Sequence, residues 1–170
     1  MYIKMMGAVF VIVGCGGYGI LKAMAHRREV NALHQLIQAM DAMICELEYR
    51  LTPLPELCRF GAAQVTGPVC SLLKSLGKTL DEQVSPDVGL CTIAALKETP
   101  AIPGYAANQI LALGQTLGRF DLPGQLTSLE RCKQSCMGQL EILEHQQSQR
   151  LRGYQTLGFC AGVALAILLF

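Results

Sequence analysis

Cysteine and histidine are the residues of this chain best suited to do chemistry. Eight cysteines stand at positions 15, 45, 58, 70, 91, 132, 136 and 160, and three histidines at 26, 34 and 145. No two cysteines form a C-x-x-C pair. Cys132 and Cys136 are one helical turn apart, but no second pair and no histidine lies at the spacing a tetrahedral metal site needs. Small apolar thiols are common core residues, so structural packing is the expected role, and a cytoplasmic domain would keep them reduced. A catalytic histidine needs a partner that orients it, and none is placed to do so here. The run Gly14-Cys15-Gly16-Gly17-Tyr18-Gly19 follows no strand and lacks the lysine of a phosphate loop. No catalytic, metal or cofactor set emerges, and the chain does not read as an enzyme.

Two charged clusters remain. One is Glu46-Leu47-Glu48-Tyr49-Arg50-Leu51-Thr52-Pro53-Leu54-Pro55-Glu56; the other is Leu113-Gly114-Gln115-Thr116-Leu117-Gly118-Arg119-Phe120-Asp121. Turn and cap chemistry accounts for Thr52, Pro53, Pro55, Gly118 and Asp121. It accounts less well for Glu46, Glu48, Arg50, Glu56 and Arg119. Those residues either brace the corners by local pairing or present a surface to a partner.

The elements that position these clusters begin in two apolar ends. Met5 to Leu21 and Tyr154 to Phe170 carry no charged residue. Each rises only about 25 Å as a helix, against a hydrocarbon core of about 30 Å. The first can lengthen through Ala25; the second can use Tyr154 at the interface and let Arg152 snorkel. Lys22, Arg27 and Arg28 follow the first segment, and Arg150 and Arg152 precede the second. Basic flanks stay on the cytoplasmic side, so both put the middle of the chain in the cytoplasm. Residues 1–25 and 154–170 are therefore expected to be transmembrane helices, with a cytoplasmic domain at 26–153. Two rival readings would export that domain: Ala23-Met24-Ala25 resembles a signal-peptidase site, and Ile12-Val13-Gly14-Cys15 resembles a lipoprotein box. The position of the basic flank opposes both. Gly158, Gly162 and Ala166 recur every four residues, a spacing that lets membrane helices pack closely, either with the other span or with another subunit.

The middle holds all 13 acidic residues and all the basic ones except Lys4, and the two signs cancel. Nucleic-acid surfaces need a basic excess, so that class is excluded. The pattern is helical throughout. Val30, Leu33, Ile37, Met40, Ile44, Leu47 and Leu51 form one stripe, widened by Leu36 and Met43. Thr52 is expected to cap a second helix over 53–64, with its prolines in the first turn. Gly67-Pro68 breaks the chain before a helix over 69–80 that buries Leu72, Leu73, Leu76 and Leu80. Ser85-Pro86-Asp87 opens a fourth over 86–97, with Ser85 as the capping hydroxyl. Pro100 and Pro103 precede a fifth over 105–117. Asp121 caps a last long helix with Leu126, Leu129, Cys132, Cys136, Leu140 and Leu143 on one row. No segment alternates with period two. The expected fold is all-α: a small bundle of about five helices, two of them long, antiparallel and continuous with the terminal spans, the short ones forming a cap.

The run Tyr49-x-x-Thr52-Pro53-Leu54-Pro55-Glu56 and the run Leu113-Gly114-x-Thr116-Leu117-Gly118-Arg119-x-Asp121 resemble the signature segments of the stage III sporulation protein AB family. Length, an N-terminal span and the Leu157-Gly158-Phe159 approach to an apolar C-terminus are similar as well. The resemblance implies an endospore-forming bacterium and a mother-cell membrane protein. It implies a subunit of the transport complex joining mother cell and forespore, with other stage III sporulation membrane proteins as partners. The family in turn resembles the platform protein of type II secretion and type IV pilus machines, whose cytoplasmic helical domain meets a motor ATPase. On that reading Glu46, Glu48, Arg50, Glu56, Arg119 and Asp121 are candidate contact residues. The alternatives are a small membrane assembly or regulatory factor without a motor, and an exported lipoprotein-like binding domain.

Overall fold

A computed structural model describes the backbone of residues 2–82, 87–117 and 121–169, and the side chains of residues 24–82, 87–117 and 121–145. Six helices run in order: α1 Tyr2–Arg50, α2 Leu54–Ala63, α3 Gly67–Asp81, α4 Val88–Glu98, α5 Gly104–Thr116 and α6 Leu122–Leu169. No strand occurs among the described residues. The class is all-α, as expected, and among the described residues the helices number six rather than about five. Each short segment bounded by a proline or glycine break is a helix of its own, because proline in a first turn costs no hydrogen bond.

Each helix runs antiparallel to the one before it. Asp41 pairs with Lys133, and His34 lies 3.5 Å from Glu144, which sets α1 against α6 in opposite directions. Tyr105 reaches Ser135 and Cys132 reaches the Gln109 carbonyl, so α5 opposes α6. Gly61 faces Ala39 and Met43, which lays α2 back down α1. The turn between α2 and α3 is tied to α1 by Gln35 Nε2 donating to Thr66 Oγ1 at 3.2 Å and Gln38 Nε2 donating to the Gln64 carbonyl at 3.0 Å. Gly67 enters α3 at φ +66°, a conformation that glycine adopts without steric cost.

One core runs through the bundle. Leu33, Leu36, Met40, Met43 and Leu47 of α1 are buried, and Val30, Ile37 and Ile44 pack at its edge. Leu72, Leu73 and Leu76 are buried on α3, with Leu80 at the margin; Leu129, Cys132, Cys136 and Leu143 are buried on α6, with Leu126 and Leu140 at the margin. The stripe ends earlier than the heptad spacing indicates. Leu51 is 65% exposed and sits at φ +52°, just past the last residue of α1.

Two other local expectations are corrected. Thr52 does not cap α2: Pro53 holds that position, and the Thr52 hydroxyl donates to Glu46 Oε1 at 2.9 Å instead. A glutamate six residues back offers a charge-assisted bond, which competes with the backbone amides for the hydroxyl. The cap of α4 is Asp87, which accepts from Gly89 N at 3.0 Å, rather than Ser85. Ser85, Pro86 and Arg119 lie outside the described residues. Asp121 does cap α6, accepting from Gly124 N at 3.3 Å. Among the described residues no helix is long and apolar enough to cross a membrane. The segments expected to do so, with Gly158, Gly162 and Ala166, lie outside the residues whose side chains are described.

Small residues set how closely the short helices approach. A Cβ on Gly114 of α5 would overlap the hydroxyl of buried Thr92 on α4 and sit 2.8 Å from Thr92 Cβ. Gly138 of α6 has nothing within 4 Å of such a position. Gly114→Ala is therefore expected to cost about 1–3 kcal/mol through forced separation of α4 and α5. Gly138→Ala is expected to be neutral or to stabilise by up to about 1 kcal/mol through helix propensity. Thermal unfolding of the two full-length variants in detergent checks both signs.

Candidate functional site at the far end of the bundle

The alternating directions decide where the two charged clusters fall. α1 starts and α6 ends on one side. The corners α1–α2, α3–α4 and α5–α6 therefore gather at the opposite, far end. The α2–α3 and α4–α5 turns lie below it, on the side of the chain termini. Residues 46–56 and the described residues 113–117 and 121, far apart in the chain, thus close the same end of the bundle. Beneath them lies an apolar cavity of about 20 Å³ walled by Met40, Met43, Cys58, Leu76, Leu113 and Leu117 among others. It has room for about one water molecule and no polar lining to anchor a ligand.

Five of the six candidate residues are described, Arg119 lying outside the described residues, and those five separate into two groups. Glu46 is 13% exposed at its side chain and braces the corner by accepting from Thr52; Arg50 Nη1 lies 3.9 Å away and is 76% exposed. Asp121 is occupied as the cap of α6. Glu48 and Glu56 are exposed and make no ion pair among the described residues. So Glu46 and Asp121 serve the fold, and Glu48, Glu56 and the outer part of Arg50 face solvent. Two residues that charge-based reasoning passed over stand among them. Tyr49 is 85% exposed and Leu51 is 65% exposed. The heptad spacing that runs through Leu51 places it on the α1 stripe. Its exposure follows from the left-handed φ that ends α1.

The thiols have a different role. Cys58, Cys91, Cys132 and Cys136 are buried, Cys70 is half-buried and Cys45 is exposed. Among the described residues no group of histidine, cysteine or acidic side chains is arranged to hold a metal. Burial pushes the Cys58 thiol up to about 12. The Cys132 thiol is also held above its ordinary range, first by its hydrogen bond to Cys136 and then by burial. Both remain protonated packing groups at neutral pH.

The family model described as stage III sporulation protein AB matches residues 4–170. The chain belongs to the stage III sporulation protein AB family. Membership implies a role in sporulation. It is 25% identical over 170 residues to stage III sporulation protein AB of Bacillus subtilis (strain 168), covering 98% of this chain and 99% of that one. A solved structure of a stage III sporulation protein AB superposes with a TM-score of 0.62 at 22% identity, covering 72% of this chain and 98% of that one. That likeness confirms the helical fold of the domain.

Two measurements follow from the local chemistry. A folded-state pKa raised by burial stabilises the fold fully below the ordinary thiol value of 9.0, and that stability is lost as pH climbs from there toward 12. Unfolding temperature is expected to fall more steeply between pH 8.5 and pH 10.5 in the native protein than in Cys58→Val, all other titrating groups being shared. For Leu51, the left-handed backbone costs a side-chain-bearing residue about 1–2 kcal/mol, and glycine gives back part of this in chain entropy. Leu51→Gly is expected to raise stability by about 0.5–1 kcal/mol, read from the same unfolding experiment.

Proposed function

We propose that this protein is a membrane platform subunit of the complex joining mother cell and forespore during endospore formation, and that its helical domain contacts a motor ATPase from the cytoplasm. The observation that carries the reading is the antiparallel pairing of α1 and α6. It turns the apolar beginning of one long helix and the apolar end of the other to the same side, and leaves a compact bundle on the opposite side. Basic flanks at Lys22, Arg27, Arg28, Arg150 and Arg152 give both segments the same orientation, with the bundle on the cytoplasmic face. Other stage III sporulation membrane proteins are the expected neighbours in the bilayer, with Gly158, Gly162 and Ala166 as a packing row.

Topology is the direct test. Exposed Cys45 is a built-in reporter. The protein is produced in non-sporulating cells and treated with a membrane-impermeant maleimide. Cys45 is expected to react only after the membrane is opened, and Cys45→Ser is expected to remove that signal. Labelling of Cys45 in intact cells would place the bundle outside and favour an exported binding domain. The motor contact is tested separately. Full-length protein in detergent is expected to retain the sporulation motor ATPase through size exclusion. Failure to do so, with a protected Cys45, favours an assembly or regulatory factor without a motor.

A further inference from the structure

We draw no further inference here: the strongest candidate, the surface patch that Leu90 and Ile93 form on the outer side of α4, is an exposed apolar face, and nothing in the structure shows what covers it.

Discussion

The antiparallel pairing of α1 with α6 is the constraint from which the rest of the molecule follows. Their contact is not held chiefly by its visible ion pairs. The His34–Glu144 contact is more than half open to solvent and Asp41–Lys133 is partly so, and such exposed contacts contribute little. What holds the two together is the shared core: Leu33, Leu36, Met40, Met43 and Leu47 on one helix, Leu129, Cys136 and Leu143 on the other, all in one buried cluster. Once those two helices are antiparallel neighbours, the chain between them must leave and return at the same end. Up-and-down topology then admits only an even number of helices. Four short helices satisfy this; three would deliver the chain to α6 at the wrong end.

The space between the short helices explains the amino-acid choices there. Helices of ten to fifteen residues bury too little surface to tolerate wide spacing, so small residues sit where axes cross. Gly61 faces Met43, a Cβ on Gly77 would lie 3.1 Å from the Pro55 carbonyl, and Gly114 faces Thr92. The buried thiols belong to the same set. Cysteine is compact, fills the gap beside a crossing and needs no strong hydrogen-bond partner. A high cysteine content here is a packing solution, and the raised thiol of Cys58 records the dryness of its surroundings.

Much of this was legible in the sequence because helical periodicity and proline breaks are local signals. The α1 stripe from Val30 to Leu47, the α6 row from Leu126 to Leu143 and the position of each break are set by residues a turn or two apart. The corners were less legible, since several local solutions compete there. Thr52 had a choice between the amides of α2 and the carboxylate of Glu46, and periodicity says nothing about that choice. Ser85 and Asp87 both suit a helix start, and the boundary chose the acid. Leu51 continued an apolar stripe whose helix had already ended. The meeting of residues 46–56 with 113–117 at one end was invisible locally, because it follows from the direction of every helix between them.

The corner at Leu51 also bears on why the bundle is not built for greatest stability. The chain uses glycine wherever a close crossing or a positive φ demands it, at Gly67 as well as at Gly61, Gly77 and Gly114. The residue that ends α1 is the exception: a leucine occupies the conformation where glycine fits best. Packing cannot account for it, as most of its surface meets water, and capping cannot either, as its side chain satisfies no backbone group. What leucine adds over glycine at that point is apolar surface beside Tyr49, at the end of the molecule remote from its termini. A bundle held together by a shared core can carry such a local penalty without losing its fold. A surface whose only role was solvation would have no use for it.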